Sequence, residues 1–382
     1  MDVRGYFRHL DYLLLAITLG LIGYGATMIY FATRHDPLTS ATYYARSQLL
    51  YAAVGFAVLV AVSTIDYERY RRWQWALYAF ALVTIAAVFA LGPVTRGSRR
   101  WLQTPFINFQ PSELALWIVT VAMAAFLVDR MDLLGTRRIT VQALAYVALP
   151  AALIFFQPDF GTATVFIALT IALLLFYGTR WTHFATLFAA SAVVFVAVLD
   201  VLPALGLHLV KQYQIDRLLV FLHPGRDPGA SGYNVMQSMI AVGSGSLTGR
   251  GNLATQTQLD FLPEHHTDFI FAVVSERYGF VGAALLIGLY VLLIWRALRI
   301  ATLSRDMYGS MMAGGIAVMF LFQAFVNIGM TIGIMPVTGI PLPFVSYGGA
   351  ALITSLMLVG LLESVHVRAR HAVSPGGQSG KR

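Results

Sequence analysis

The segment at residues 259–274 concentrates ionisable side chains in a chain that has few of them. Only 12% of the residues are charged, yet this segment holds Asp260, Glu264, His265, His266 and Asp268. It lies where a polar loop meets a long apolar run, and an ionisable group close to a membrane core carries a desolvation cost. Side chains of these types can bind a metal ion, relay protons or act as an acid or a base.

The spacing of the two histidines disfavours a zinc site. His265 and His266 are adjacent, so their side chains diverge on a helix or a strand and do not easily reach one ion. The segment also lacks the His-Glu-x-x-His pattern of zinc proteases. The sequence still allows a site for a hard cation, bound by Glu264 or Asp268 together with the phosphate oxygens of a substrate.

Asp268 stands at the start of an apolar run that continues to Trp295. About 28 helical residues extend roughly 42 Å, whereas a bilayer core is about 30 Å thick. We therefore expect the first turns to project into an outer vestibule, with Asp268 at the helix N-terminus. There Asp268 can act as a general base, which contributes about 10²–10⁴ in rate. Alternatively, Asp268 or Thr267 merely caps the helix. The residue types alone do not distinguish a general base from a helix cap.

The composition is that of a membrane protein with many spans. The chain has 382 residues, 58% of them hydrophobic, and a mean hydropathy of +0.70. It contains no cysteine, which excludes a disulfide scaffold, a thiol nucleophile and a thiolate metal site. The net charge of +8 comes from arginines spread over many short loops, which favours helix orientation over nucleic-acid binding.

About ten apolar runs are long enough to cross a bilayer. The sequence therefore predicts an all-α polytopic membrane protein, with one integral-membrane domain at residues 1–371 and a disordered cytoplasmic tail at 372–382. A large extracytoplasmic loop, at about 207–267, separates the seventh and eighth spans. The first run is expected to stay as a helix, because no small-residue cleavage site follows it. The runs lie near 10–32, 46–64, 74–91, 113–128, 141–156, 162–178, 183–206, 276–297, 309–334 and 345–366.

The arginines orient the predicted helices. With the N-terminus in the cytoplasm, most loop arginines fall on the cytoplasmic side, as the positive-inside rule requires, and both termini are cytoplasmic. Several cations oppose this bias, which points to an anionic ligand outside. Solvation of loop tips is the alternative, and we favour it for Arg226. The opposing cations are Arg96, Arg99, Arg100, Lys211, Arg217, Arg226 and Arg250.

Three further polar clusters lie at the outer ends of predicted helices, at residues 109–113, 157–162 and 335–349. Each is ordinary alone, because proline and serine often begin a helix and a carboxylate often lies in a turn. Irregular backbone near membrane depth is tolerated where it lines a cavity or is buried in protein. Together with the first segment, these clusters predict a polar site that faces outward.

Several motifs occur in the order found in one known family. They are Gly97-Ser-Arg-Arg-Trp101, Phe109-Gln-Pro-Ser-Glu-Leu114, Gln157-Pro-Asp159, Gly232-Tyr233 with Gln237-Ser238, Leu262-Pro-Glu-His-His-Thr-Asp-Phe269 and residues 335–349. From about residue 12 to residue 367, the chain resembles the SEDS family of shape, elongation, division and sporulation proteins, which are polytopic peptidoglycan polymerases. Thr255-Gln-Thr-Gln258 and the short N-terminus are more similar to the elongation branch than to the division branch.

The resemblance implies ten transmembrane helices and a glycosyltransferase that polymerises lipid II at the outer face of the bacterial cytoplasmic membrane. It implies that Asp268 is the catalytic aspartate, which deprotonates the 4-hydroxyl of the acceptor sugar. That oxygen attacks the anomeric carbon of the donor with inversion, and undecaprenyl pyrophosphate leaves. The implied substrate-binding residues are Arg46, Arg99, Arg100, Trp101, Gln110, Ser112, Glu113, Asp159, Arg217, Gln237, Ser238, Arg250, Glu264, His266, Thr267 and Ser346.

The resemblance also implies tasks, cofactors and partners. The arginines steady the pyrophosphate through charge-assisted hydrogen bonds, and Trp101 stacks on a sugar ring. Glu113 and Asp159 orient these cations or bind a divalent ion, Mg²⁺ or Mn²⁺, and no organic cofactor is expected. The implied partners are lipid II, membrane lipid, a class B penicillin-binding protein that crosslinks the strands, and other proteins of the elongation complex. Nucleic acid is not among them.

The chain departs from the family pattern at several positions. Leu116 and Arg250 stand where lysine is common, Arg277 replaces a second glutamate, and Ala350 and Ala351 replace serines. Two other functions stay open, a lipid II flippase and a non-catalytic scaffold of the cell-wall complex. Charges gathered on the outer side favour the polymerase, because a transporter needs ionisable groups along a path through the membrane.

Overall fold

Helices form most of the regular structure in this computed structural model, which describes residues 3–34, 40–93, 99–103, 108–197, 221, 231–256 and 261–373. The helices are α1 (Val3–Arg8), α2 (Tyr12–Thr33), α3 (Tyr43–Thr64), α4 (Tyr67–Arg72), α5 (Gln74–Leu91), α6 (Pro111–Val128), α7 (Arg137–Phe156), α8 (Phe160–Tyr177), α9 (Trp181–Val196), α10 (Ser231–Ser244), α11 (Ile270–Leu303), α12 (Met307–Thr331) and α13 (Gly349–Val373). Short 3-10 turns lie at Met131–Leu133 and Gly251–Leu253. Two short strands, β1 (Leu102–Gln103) and β2 (Asn108–Phe109), pair antiparallel with Leu102 opposite Phe109.

The predicted fold class, an all-α polytopic membrane protein, is confirmed. Within the described ranges, nine helices are long and apolar enough to cross a membrane. Each of the ten predicted spans contains a helix. The seventh, α9, has 16 described residues and leads into residues 198–220, which lie outside the description. α13 continues to Val373, two residues into the predicted tail, and residues 374–382 are likewise outside the description.

Aspartates begin four of the helices. Asp11, Asp66, Asp159 and Asp306 each accept a backbone N–H from the first turn of the helix that follows, at 3.2, 3.1, 3.2 and 2.8 Å. Such a cap satisfies a donor that has no partner inside the helix. Short polar breaks between apolar runs therefore fix where α2, α4, α8 and α12 start.

α6 lies at the centre of the bundle. Every residue from 111 to 127 except Leu114 is buried, as expected for a helix that is apolar on all faces. α3 packs closely on α13, because Gly55 lies against the side chain of Leu356. The peripheral helices expose large apolar side chains instead; Phe188 on α9 is 79% exposed, as suits a surface that faces lipid.

The bundle has two polar ends. We define the site end by residues 99–103, 108–113, 157–162, 231–256, 261–269 and 332–348, and the tail end by residues 3–11, 65–73, 129–136 and 304–306. Contacts between distant parts of the chain support this grouping. At the site end, the Tyr347 N–H donates to the His266 carbonyl at 3.0 Å. At the tail end, the Tyr67 hydroxyl donates to the Asp306 carboxylate at 2.6 Å.

The long helix α11 is broken at Gly279. The φ of 62° and ψ of −155° at this residue lie outside the helical region and in one that suits glycine. The glycine-rich turn at 245–249 packs into the break, where the N–H groups of Phe280 and Val281 donate to its carbonyls at 2.9 and 3.1 Å. The helix is therefore not continuous from residue 269 to Trp295, as the apolar run had suggested, and residues 270–278 form a separate helical piece at the site end.

Candidate active site

The Asp268 loop, residues 261–269, is organised around one carbonyl. Glu264 adopts a left-handed backbone with φ 55°, which is uncommon for a residue with a side chain. Its carbonyl oxygen accepts the N–H groups of Thr267, Asp268 and Phe269 at 3.2, 3.1 and 3.3 Å. These bonds offset the backbone strain and fix the position of Asp268 ahead of α11.

Asp268 lies one residue before the N-cap position of α11. The helix begins at Ile270 with Phe269 in the N-cap position, and no side chain there makes a capping hydrogen bond. The Thr267 hydroxyl instead donates back to Glu264, to its carbonyl at 3.1 Å and to its carboxylate at 3.2 Å. Phe269, and neither Thr267 nor Asp268, therefore occupies the N-cap position of α11.

The half-buried Asp268 carboxylate faces the segment at residues 332–348. Its Oδ2 atom lies 3.6 Å from the position that a β-carbon would take at Gly339. Gly339 itself has a φ of 73°, which suits glycine. Gly339 therefore makes the turn and lies directly against the Asp268 carboxylate.

Ser346 ties this segment to the Asp268 loop. Its buried hydroxyl donates to the Thr267 carbonyl at 2.6 Å and accepts a backbone N–H at 2.9 Å. Gln48 in α3 donates to the Ser346 carbonyl at 3.1 Å and accepts the Gly348 N–H at 3.3 Å. The structure places Ser346 next to the predicted catalytic residue, with its hydroxyl engaged inside the protein.

A cluster of buried polar side chains surrounds Asp159. The carboxylate accepts hydrogen bonds from the Gln110 amide at 3.1 Å, the Ser112 hydroxyl at 3.4 Å and the Thr162 hydroxyl at 3.0 Å. Glu113 lies in the first turn of α6 and is buried as well. Two loops that are distant in sequence thus contribute predicted site residues to one cluster.

Arg100 brings positive charge to this cluster. Its guanidinium donates to the Gln157 carbonyl at 3.2 Å and also to the Pro158 carbonyl, and it lies 3.9 Å from the Asp159 carboxylate. Leu116, three residues after Glu113 on α6, is buried among apolar side chains. Arg100 therefore brings a cation to this cluster, whereas Leu116 contributes only apolar packing.

The segment at 332–348 joins the two halves of the site. A β-carbon at Gly161 would lie 2.6 Å from the Thr338 carbonyl, so the turn that follows Asp159 packs directly on this segment. The neighbouring Gly339 faces the Asp268 carboxylate. The four predicted clusters, at 109–113, 157–162, 262–269 and 335–349, are thus brought together at one end of the bundle.

Gln237 and Ser238 lie on α10, which borders the same segment. Ser238 is fully buried, and its hydroxyl donates to the Thr331 carbonyl at 2.8 Å. Gln237 is half-buried. A β-carbon at Gly333 would lie 2.5 Å from the sulfur of Met239. α10 therefore packs against the turn that follows α12, and Ser238 contributes to that packing.

Aromatic rings flank the Asp268 loop. The His266 ring lies 4.9 Å from the Tyr44 ring and 5.8 Å from the Tyr347 ring, measured between centroids. Burial raises the pKa of the Tyr347 phenol well above its ordinary value, and neighbouring Tyr51 raises it further. The phenol therefore stays protonated at neutral pH, and the group of rings holds His266 beside Asp268.

The remaining predicted cations lie at the rim of the site end. Arg46, Arg99 and Arg250 are exposed. Arg99 donates to a backbone carbonyl at 2.8 Å and Arg250 to a threonine hydroxyl at 3.3 Å, so both bond to neutral oxygens. Trp101 is half-buried and lies directly before β1. The predicted role of Arg217 falls outside the described residues.

Sequence reasoning assigned no role to Gln48, Glu276 or Asn327, which are fully buried at the site end. The Glu276 carboxylate accepts two backbone N–H groups, at 2.8 and 2.9 Å, from the loop that carries Arg250. All three are polar residues within apolar helices. A polar residue within an apolar helix indicates a buried polar contact, but it does not identify the group that the side chain contacts.

The described residues do not fit a resident metal ion. In that part of the chain, no group of three His, Cys, Asp or Glu side chains converges. The Asp159 carboxylate accepts amide and hydroxyl donors, which use lone pairs that Mg²⁺ or Mn²⁺ needs. A divalent ion held by protein ligands alone is therefore not supported.

Comparison with known proteins gives consistent matches over the length of the chain. A family model for FtsW/RodA/SpoVE cell cycle proteins matches residues 11–371. The chain is 39% identical to peptidoglycan glycosyltransferase MrdB of Escherichia coli K12 over 364 residues, or 95% of each chain. It is 36% identical to stage V sporulation protein E of Bacillus subtilis, covering 94% of this chain and 98% of that protein.

Solved structures also match over nearly the whole chain. One match comes from a peptidoglycan synthase complex described as coordinating polymerization and crosslinking, with a TM-score of 0.78 and 26% identity over 94% of this chain and 98% of that chain. Another is the rod shape determining protein RodA of Thermus thermophilus, with a TM-score of 0.69 and 25% identity over 96% of this chain and 98% of that chain.

Proposed function

Because this chain belongs to the FtsW/RodA/SpoVE family of cell cycle proteins, we propose that it is a peptidoglycan glycosyltransferase that polymerises lipid II during cell elongation. The observation that carries this proposal is a convergence of groups at one end of the bundle. There a half-buried carboxylate, Asp268, lies among buried polar side chains, with exposed arginines at the rim.

Asp268 acts as the general base. Its carboxylate takes the proton of the acceptor sugar 4-hydroxyl, and the oxygen forms a bond to the anomeric carbon of the lipid-linked donor. The bond from that carbon to the pyrophosphate oxygen breaks, so undecaprenyl pyrophosphate leaves and the configuration inverts. Asp268 then passes the proton to solvent. Two features support this role: Asp268 lies ahead of the N-cap residue of α11, and its carboxylate lies against Gly339, which has no side chain.

The arginines at the site end hold the pyrophosphate. Charge-assisted hydrogen bonds from guanidinium groups are well suited to phosphate oxygens. The exposed Arg46, Arg99 and Arg250 and the half-buried Arg100 supply such donors. Arg217 belongs to the same proposal, although it lies outside the described residues.

Exposure divides the other predicted residues into two groups. The buried ones support the site: Ser238 and Ser346 bond to backbone, while Gln110, Ser112, Glu113 and Asp159 form the cluster that orients Arg100. The half-buried ones are placed for contact with the glycan or its lipid carrier. They are Trp101, Gln237, Glu264, His266 and Thr267.

A divalent cation enters this proposal with the substrate. Because the described residues do not form a metal site of their own, Mg²⁺ or Mn²⁺ would be held chiefly by the pyrophosphate oxygens. Its chemistry would be to neutralise charge on the leaving group. The steps that we assign to Asp268 and to the arginines do not pass through it.

The site end faces the extracytoplasmic side, and both termini are cytoplasmic. The tail end carries Arg69, Arg71 and Arg72 on one short helix, in agreement with the positive-inside rule. Lipid II is therefore taken from the outer leaflet of the bacterial cytoplasmic membrane. A class B penicillin-binding protein and other elongation-complex proteins act with this chain; the match to a synthase complex supports the first of these.

The experiment that tests this function supplies lipid II to the purified chain in proteoliposomes, with and without a class B penicillin-binding protein. We expect glycan strands longer than the starting disaccharide. Translocation of labelled lipid II without polymer would instead indicate a flippase. If neither activity appears and substitutions at the site end leave cell elongation unchanged, the chain is a scaffold.

A further inference from the structure

Asn327 is a buried amide in the apolar helix α12. Its side chain is fully buried, and a polar group at such a place is costly unless it forms hydrogen bonds. The amide nitrogen donates to the Asp268 carbonyl at 2.9 Å and to the Ile340 carbonyl at 2.8 Å. Both of its hydrogens are thus used, and both acceptors are backbone atoms of the site end.

The partners fix which way the amide points. A carbonyl oxygen accepts hydrogen bonds and does not donate them, so the atom of Asn327 that faces two carbonyls must be the nitrogen. Its oxygen, Oδ1, is buried with no hydrogen-bond partner among the described residues. The hydrogen-bonding contacts of the Asn327 side chain among the described residues are therefore the two donor bonds to these carbonyls.

A second hydrogen bond holds the carbonyl of the preceding residue, Thr267. The Ser346 hydroxyl donates to the Thr267 carbonyl at 2.6 Å, and Gln48 of α3 in turn holds the Ser346 carbonyl at 3.1 Å. Two successive peptide carbonyls, of Thr267 and Asp268, are thus bound to different elements of the fold. The backbone on which Asp268 is carried cannot shift towards α12 or towards α3 without losing one of these bonds.

From this geometry we propose that Asn327 is a positioning residue for glycosyl transfer. Its amide locks the Asp268 loop to the segment that contains Gly339, and so sets the distance between the Asp268 carboxylate and the acceptor hydroxyl. The proposal rests on the proposed function, in which Asp268 is the base. Positioning matters because a misplacement of about 1 Å can lower a rate by about 10²-fold.

The test compares two amide-to-leucine variants on one helix. Asn327→Leu keeps the number and branching of the side-chain heavy atoms and removes both donors. Gln323→Leu is the matched control, since Gln323 is a buried amide one turn earlier on the same face of α12. For Asn327→Leu we expect kcat for lipid II polymerisation to fall by about 10–100-fold, with little change in KM. For Gln323→Leu we expect kcat to stay close to the wild-type value.

Thermal unfolding of both variants separates positioning from fold stability. If Asn327→Leu lowers Tm yet keeps wild-type kcat per folded molecule, Asn327 is merely structural and the proposal is overturned. An equal loss of kcat in Gln323→Leu would overturn it too. If Asn327→Leu does not fold, Asn327→Gln replaces it; this variant keeps two donors on a longer arm, so an intermediate kcat is expected and an unchanged kcat contradicts the proposal.

The same assay separates this inference from the proposed function. An active Asp268→Asn variant would show that Asp268 is not the base. The proposed function would then fail, regardless of the result for the Asn327 variants. An inactive Asp268→Asn variant together with a fully active Asn327→Leu variant would leave Asp268 as the base and overturn the positioning role alone.

Discussion

The two ends of the helix bundle hold their carboxylates in different ways. At the tail end, the buried Asp11 carboxylate pairs with the Arg296 guanidinium. At the site end, Asp159 and Glu276 are bonded mainly by amide, hydroxyl and backbone N–H donors. The tail-end carboxylate is thus held chiefly by a charged partner, whereas the site-end carboxylates are held chiefly by neutral donors, with Arg100 3.9 Å from Asp159.

The arginines show the same contrast. At the tail end, Arg305 lies 2.7 Å from the Glu68 carboxylate and 3.3 Å from that of Asp306. At the site end, Arg99 and Arg250 donate to neutral oxygens. In these contacts, the tail-end arginine is paired with carboxylates, whereas the two site-end arginines contact neutral oxygens. This difference supports the proposal that the exposed arginines at the site end bind the pyrophosphate.

The largest effect on stability should come from removing the ion pair between Asp11 and Arg296. Arg296→Ala leaves the Asp11 carboxylate buried without this arginine, which is expected to lower the free energy of unfolding by about 3–5 kcal/mol. Polymerisation per folded molecule should be unchanged, because the pair lies at the opposite end from Asp268. Denaturant unfolding in detergent, alongside the lipid II assay, measures both quantities.

A neutral double variant sharpens this prediction. Asp11→Asn combined with Arg296→Gln removes both charges together, so it should cost less stability than Arg296→Ala alone. If Arg296→Ala instead abolished polymerisation in protein that remains folded, the division between the two ends would be wrong.

A smaller effect, on substrate use, should come from one arginine at the rim. Arg250→Gln removes an exposed cation that we assign to the pyrophosphate, and kcat/KM is expected to fall about 10-fold, the value of one charge-assisted hydrogen bond. Arg250→Lys should recover part of this loss, since it keeps the charge but not the planar fork. Steady-state polymerisation kinetics at several lipid II concentrations measure the change.

The matched control is the same substitution at the other end. Arg71 is also partly exposed and pairs with Asp129 at 2.6 Å, so Arg71→Gln should leave kcat/KM at the wild-type value. Equal losses in Arg250→Gln and Arg71→Gln would show that the arginines at the two ends do not differ in function.

Much of this architecture could be predicted from the sequence. Apolar runs of bilayer length predicted the helices, because the membrane leaves few alternatives to a helix. The density of ionisable residues at 259–274 indicated the candidate site that we propose. The convergence of four clusters followed from assigning their loops to the same side of the membrane.

The features that the sequence did not predict depend on tertiary contacts, which the order of neighbouring residues does not reveal. A lone amide such as Gln48 or Asn327 signals a buried polar contact, but packing decides which carbonyl it meets. The break at Gly279 follows from the turn at 245–249, which supplies carbonyls to the interrupted helix. Asp268 was left between a base and a cap for the same reason, since the helix start at Ile270 is set by the fold of its loop.

The most direct measurement compares lipid II polymerisation by the wild-type chain and by Asp268→Asn, with Asp132→Asn as the control. Asp132 is an exposed carboxylate at the tail end, so its removal changes charge without touching the site. The proposed mechanism predicts that Asp268→Asn lowers kcat by about 10²–10⁴-fold at an unchanged Tm, while Asp132→Asn keeps the wild-type rate. Wild-type polymerisation by folded Asp268→Asn protein would contradict the assignment of Asp268 as the base.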